Sequence, residues 1–117
     1  MGNQVMWFEV AGKDHGALKD FYSSLFDWQL NDMEGMPYSM VDTGGKGIPG
    51  GLGQTPDGKA HVTFYVEVDD LGDALGKAEE LGGSQVMGPT DIPTGQIAMF
   101  TDPEGHLIGL MTPMRQP

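Results

Sequence analysis

The chain repeats itself, and the repeat limits the possible folds more tightly than any composition does. Displacing the first half by 56 positions lays Trp7-Phe8-Glu9-Val10 on Thr63-Phe64-Tyr65-Val66, and Asp14 on Asp70, ahead of a helical pattern in both copies. A two-residue slip makes the displacement 58 further on, so that Thr43, Gly47, Gly51 and Leu52 meet Thr101, Gly105, Gly109 and Leu110. Two copies of one supersecondary unit therefore build the chain. A solenoid is excluded, because stacked repeats need at least about three copies to bury a core.

Each copy reads as strand, helix and three strands. Gln4 to Val10 is rich in β-branched and aromatic residues and predicts a largely buried strand. Asp14 offers an N-cap, and Leu18, Phe21, Tyr22 and Leu25 recur on one helical face. Trp28–Asp32 and Tyr38–Asp42 read as short strands about the Glu34-Gly35-Met36-Pro37 turn. The glycine-dense stretch from Gly44 to Gly53 lacks the G-x-x-x-x-G-K-[ST] order that cradles phosphate, so it reads as a loop and a short close-packed strand, with an anion site as the alternative. After the Thr55-Pro56-Asp57-Gly58-Lys59 linker, His61–Val68 predicts a strand and Asp69-Asp70 caps a helix carrying Leu71, Ala74, Leu75, Ala78 and Leu81. Gly82-Gly83 ends that helix, since glycine accepts the left-handed C′ conformation. Ser84–Ile92, Gln96–Thr101 and His106–Thr112 complete the second copy. The expected organisation is one domain over 1–117, with repeat one at 4–54 and repeat two at 60–112.

Charge and cysteine content remove several classes of function. Seventeen acidic residues against six basic ones give a net charge of −11, too little Lys and Arg to neutralise nucleic-acid phosphates. An acidic balance speaks to solubility and to the steering of cations. The absence of cysteine removes disulfides, thiolate metal sites and a cysteine nucleophile together. No apolar run approaches the roughly 18 residues of a membrane span, and the amino terminus enters a strand pattern without a signal-peptide layout, so the expectation is a cytoplasmic protein with no membrane partner.

Three anchors carry a family resemblance that covers essentially the whole chain. Phe21-Tyr22 followed by Leu25-Phe26-Asp27-Trp28 is similar to an FYxxLFGW motif, Val66-Glu67-Val68-Asp69-Asp70 leads to a helix closed by Gly82-Gly83, and Asp102-Pro103-Glu104-Gly105-His106 is similar to a DPxGN turn. In this order on a duplicated unit they resemble the vicinal-oxygen-chelate superfamily, which includes lactoylglutathione lyase (glyoxalase I), bleomycin-resistance proteins, fosfomycin-modifying transferases and extradiol dioxygenases. The resemblance implies an α+β fold in which two βαβββ repeats form a curved, cup-like mixed sheet around a substrate, and it implies a homodimer.

Metal-dependent members of that family draw a His or Gln from the first strand and a Glu from the last strand of each copy. Carried over by the flanking motifs, those places are Trp7, Gly51, Thr63 and Gly109, none of them an ordinary ligand for a divalent metal. The resemblance therefore implies a member without the family's metal centre, and no cofactor is expected. A register slip of two would bring in His61 and Glu9, which lie on the matching face, yet two protein ligands make a poor site.

The remaining candidates are weighed residue by residue. Trp7 is either core or an aromatic wall of the cup, and its indole N–H needs a partner if buried. Glu9 and Tyr65 occupy equivalent places, and a carboxylate inside a sheet is either paired, with Tyr65 or His61, or reserved for a ligand. His61 reads as a rim histidine or as a base, His15 as solvated, and His106 as a maker of turn hydrogen bonds. Met40 and Met111 stand among nine methionines, whose thioethers suit both irregular cores and adaptable pockets. The expected binding set is thus Trp7, Glu9, Met40, Gly51, His61, Thr63, Tyr65, Gly109 and Met111. It points to a metal-free protein that sequesters a small, partly aromatic or cationic compound. The alternatives are a glyoxalase-type lyase or isomerase using Glu9 and His61, and an interaction module whose cup is plugged by its own side chains.

Overall fold

The computed structural model describes residues 2–114. In chain order the elements are β1 (Val5–Gly12), α1 (His15–Phe26), β2 (Gln29–Asp32), β3 (Tyr38–Asp42), β4 (Gly50–Gln54), β5 (His61–Glu67), α2 (Leu71–Glu80), β6 (Ser84–Ile92), β7 (Gly95–Thr101) and β8 (Leu107–Met111). The βαβββ order read from the sequence is present twice. Two compact units result: the first is Trp7–Thr63, and the second comprises residues 64–114 together with residues 2–6. The division cuts through β1 and β5 rather than falling in the linker. Accordingly the Glu67 N–H donates to the Gln4 carbonyl at 2.9 Å within the second unit.

In the first unit the strand order is β2-β3-β4-β1, with β1 parallel to β4 and the other pairs antiparallel. The second unit has the order β5-β8-β7-β6, with β5 parallel to β8. The registers repeat with the sequence. Glu9 opposes Gly51 and Met40 opposes Gly51, just as Tyr65 opposes Gly109 and Met99 opposes Gly109.

Both helices begin where a carboxylate can accept an orphan N–H. Asp14 Oδ1 accepts from Ala17 N at 3.0 Å, and Asp70 Oδ1 from Asp73 N at 2.9 Å. Their exits differ. Gly82, at φ 105°, closes α2 as expected, whereas α1 ends on Asp27 at φ 60°, the one non-glycine residue with positive φ among those described. No helix among the described residues is long and apolar enough to cross a membrane.

The two helices bury their faces unequally. Leu71 and Leu75 of α2 pack with Ala98 and Leu110, against Val66, Val68, Ala74 and Phe100. Burial of each such leucine contributes about 1.5–3 kcal/mol before entropy is counted. In α1 no residue is buried, and Phe21 and Leu25, which the periodicity assigns to the inward face, are each 58% exposed. The contacts there are aromatic instead: Trp28 stacks on Tyr22 with centroids 5.6 Å apart and meets Phe8 at 5.4 Å. Phe8 lies over Gly50, where a Cβ would strike its ring, and this places β4 close under β1.

Candidate functional site

Strand alternation puts Phe8 and Val10 on the face that α1 covers and Trp7 and Glu9 on the other. On that other face β4 presents Gly51 and Gly53 and β3 presents Tyr38 and Met40. The ring of Tyr38 occupies the space beside both glycines, so that a Cβ at Gly51 would meet its hydroxyl and a Cβ at Gly53 its ring edge. The glycines form a slot, and the slot aims the phenol at β1.

There the Tyr38 hydroxyl is used twice. It accepts a hydrogen bond from Trp7 Nε1 at 3.0 Å and donates one to Glu9 Oε2 at 3.1 Å. The other carboxylate oxygen, Oε1, lies 3.1 Å from His61 Nε2. Trp7, Tyr38, Glu9 and His61 thus form one continuous hydrogen-bonded chain within the first unit. Its direction follows from the chemistry of the groups: the indole can only donate, the phenol relays, and an ionised carboxylate accepts at both ends. A half-buried carboxylate without such donors would be strongly unfavourable. The indole partner that Trp7 requires is therefore Tyr38, and the carboxylate partner of His61 is Glu9.

The other expected site residues divide into two groups. Met40 opposes Gly51 and is 40% exposed, and Thr63 follows His61 by two residues on β5 and is buried. Tyr65, Gly109 and Met111 belong to the second unit. There Tyr65 and Met111 are buried and the Tyr65 ring lies over Gly109, where a Cβ would strike it. Tyr38 was absent from the expected set. The signal that could have found it is the Gly51/Gly53 alternation, since two strand glycines on one face mark a place where a neighbouring group approaches closely.

The four places where the family's metal-dependent members carry ligands hold Trp7, Gly51, Thr63 and Gly109, and tyrosine rings occupy the space above both glycines. An indole N–H cannot coordinate, and a phenol already committed to an indole donor and a carboxylate is a poor ligand. Among the described residues no three His, Asp or Glu side chains come together in a way that could hold a metal. The donor set does not fit a divalent centre.

His15 requires a correction. Rather than pointing into solvent, its Nε2 lies 2.8 Å from Ser39 Oγ, and Ser39 is wholly buried. Ser39 gives its single proton to Asp32 Oδ1 at 2.6 Å, so His15 Nε2 must be the donor to Ser39. Lys19 Nζ completes this second chain at 2.8 Å from Asp32 Oδ2. The Lys19 ammonium, and after it the Ser39 hydroxyl, hold the Asp32 carboxyl below its usual 3.8. With the serine proton directed to the aspartate, the Ser39-His15-Asp32 trio is a clamp between α1 and the β2–β3 pair and not a nucleophile. His106 behaves as expected. Its N–H donates to Asp102 Oδ1 at 2.9 Å, and this turn hydrogen bond is the main cause that lowers the Asp102 carboxyl.

A family model described as the Glyoxalase/Bleomycin resistance protein/Dioxygenase superfamily matches residues 4–110. CFP32 of Mycobacterium bovis, which carries the name of a glyoxylase, is 35% identical over 89% of this chain and 43% of its own length. DnrV of Streptomyces peucetius, an anthracycline biosynthesis protein, is 29% identical over 85% of this chain and 43% of its own length. The chain spans less than half the length of these relatives. A glyoxalase/bleomycin resistance protein/dioxygenase superfamily member from Vibrio splendidus 12B01 is similar in structure, with a TM-score of 0.67 at 15% identity over 96% of this chain and 100% of that one. The fold is accordingly the α+β glyoxalase/bleomycin-resistance fold.

Proposed function

This chain belongs to the glyoxalase/bleomycin resistance protein/dioxygenase superfamily, and from that premise we propose that it is a metal-free member that binds a small, partly aromatic compound on the face carrying Trp7, Tyr38, Glu9 and His61. The observation that carries the reading is the place of Tyr38. Its hydroxyl fills the space above Gly51, where the resemblance expects a metal ligand, and links an indole to a carboxylate instead. Two aromatic side chains and a satisfied carboxylate on one face suit recognition of an apolar body with a few placed polar atoms. A relative that serves anthracycline biosynthesis accords with a ligand that has an aromatic body.

The test combines metal and ligand. Zinc or nickel should leave the melting temperature unchanged, whereas a metal held only by the native state at 100 times its dissociation constant would stabilise it by about 2.7 kcal/mol. A soluble aromatic probe should quench tryptophan emission, and Trp7→Phe should remove part of that quench while Trp28, packed on Tyr22, retains its own. Stoichiometric metal at His61 and Glu9, with lyase or isomerase activity lost on chelation, would overturn the reading.

We also propose a homodimer, because α1 leaves Phe21 and Leu25 each 58% exposed on a helix with no buried residue. A second copy covering that helix would bury an apolar surface that this chain leaves in water.

A further inference from the structure

We propose that Glu9 is the anchor for a protonated amine, and that the amine takes its place by displacing His61. The inference rests on the reading of this face as a small-molecule site and assigns the chemical class that the site selects.

Two of the donors that meet Glu9, Tyr38 and His61, differ in how firmly they are themselves held. Tyr38 is seated in the Gly51/Gly53 slot and receives the Trp7 indole N–H, so its bond to Oε2 is built into the packing of three strands. His61 stands on the other side of the carboxylate. Its side chain is 28% exposed against 15% for Glu9, and among the described residues Glu9 is the one side chain that its ring bonds. A solute arriving from water therefore reaches Oε1 through the place of His61 and not through that of Tyr38.

The group that can replace an imidazole N–H at a half-buried carboxylate must itself donate, or the hydrogen bond of His61 is lost without replacement. An ammonium does so with full charge assistance. The aromatic body of such a compound packs beside Trp7 and Tyr38, which stand on the side of the sheet that carries Glu9. The net charge of −11 raises the local concentration of cations and disfavours carboxylates and phosphates. A neutral aromatic compound gains the ring contacts and at most a neutral hydrogen bond, which competes poorly with the Glu9–His61 bond. His61, which resembles a stray metal ligand in the sequence, thus acts as the resident donor to Oε1 that the amine replaces.

Benzylammonium and benzyl alcohol share a ring and differ in the charged donor, and their affinities at pH 7 can be measured by calorimetry. Benzylammonium should bind about tenfold more tightly than the alcohol, the ratio expected when a charge-assisted bond to Glu9 stands in place of a neutral one on the same ring contacts. Glu9→Gln keeps the shape, removes the charge and should abolish that preference. His61→Phe keeps a ring and cannot donate, so it should tighten benzylammonium several-fold and the alcohol, a neutral donor, by less. Circular dichroism and the melting curve verify that both variants are folded. Equal binding of the two probes by the wild type, or a loss of benzylammonium affinity in His61→Phe, would overturn the inference while leaving the small-molecule site standing. Failure of the wild type to bind either probe would overturn that site and the inference with it.

Discussion

Gly51→Ala tests whether Tyr38 organises the site. The backbone of Gly51 lies outside the left-handed region, so a strand alanine is conformationally acceptable and would by itself stabilise by about 0.4–1 kcal/mol through the unfolded state. The new methyl group instead meets the Tyr38 hydroxyl and ring. Overpacking of this kind costs about 1–3 kcal/mol. If the ring moves aside, it abandons a neutral hydrogen bond from Trp7, worth about 0.5–1.5 kcal/mol, and one to a carboxylate, worth about 1.5–3 kcal/mol. The ring can escape by paying one of these penalties rather than both, a cost of about 2–3 kcal/mol, and after the alanine gain the net destabilisation is about 1–2.5 kcal/mol. Urea unfolding at pH 7 reads it as a fall in midpoint at unchanged slope. The decisive arm is the double-mutant cycle. In a Tyr38→Ala background the same Gly51→Ala change meets no ring, so its cost should vanish and turn into a small gain, a coupling energy of about 2–3 kcal/mol. Equal destabilisation by Gly51→Ala in both backgrounds would refute the argument, because the clash would then lie elsewhere.

Three further outcomes are expected. Asp32 has a carboxyl lowered by Lys19 and Ser39, so the stability it contributes is present above its unfolded value of about 3.8 and is lost as pH falls through the lower folded value. Carboxylate NMR titration should find it below 3.8, and Lys19→Met should raise it; an Asp32 that titrates unchanged in that variant would remove the lysine from the account. Asp27 carries φ 60° and a negative charge at the end of α1. Asp27→Gly relieves both the left-handed backbone and the unfavourable helix-dipole contact and should stabilise by about 1 kcal/mol, whereas a lower urea midpoint would contradict this. Sedimentation at micromolar concentration should show twice the 12.6 kDa chain mass, falling to one chain in a Phe21→Glu/Leu25→Glu variant; a wild-type monomer would rule out the dimer.

What the sequence disclosed was local or periodic. The displacement of 56 and then 58 reappears in the registers Glu9↔Gly51 and Tyr65↔Gly109 because strand pairing has to respect the repeat of the pattern. The caps at Asp14 and Asp70 and the stop at Gly82 depend on a residue and its immediate neighbours, and they too were legible. Tyr38 was not, since its role depends on two glycines that lie on another strand, and no spacing within one element shows which ring will fill a gap between strands. His15 misled for a related reason. It stands in the first turn of a helix, where a histidine is ordinarily solvated, but its partner Ser39 comes from β3, outside the reach of local pattern. The helical face of α1 turned out differently. Phe21 and Leu25 share one period and are both exposed, because the sheet surface on the α1 side has a glycine at Gly50 and the rings of Phe8 and Trp28 already take up the space above it.

The two copies fill the same glycine place by different routes, and the difference accounts for a carboxylate standing at Glu9 where the second copy has Tyr65. In the second unit the ring over Gly109 belongs to Tyr65, which comes from the directly paired strand β5. The equivalent residue in the first unit is Glu9, too short and too polar to cover Gly51. Its glycine is covered instead by Tyr38 from β3, the strand on the other side. In the second unit the β7 residue that opposes the counterpart of Gly53 is Ile97, which has no hydroxyl to offer. Moving the ring from the first strand of the copy to the third therefore does two things at once. It keeps the slot filled, and it frees the first-strand position for a carboxylate that the displaced ring can then hold by its hydroxyl. A Glu at position 9 and a Tyr at position 38 are for this reason a single structural solution. Without the tyrosine the acid would lose a hydrogen bond at Oε2, and without the acid the phenol would lose one that it donates.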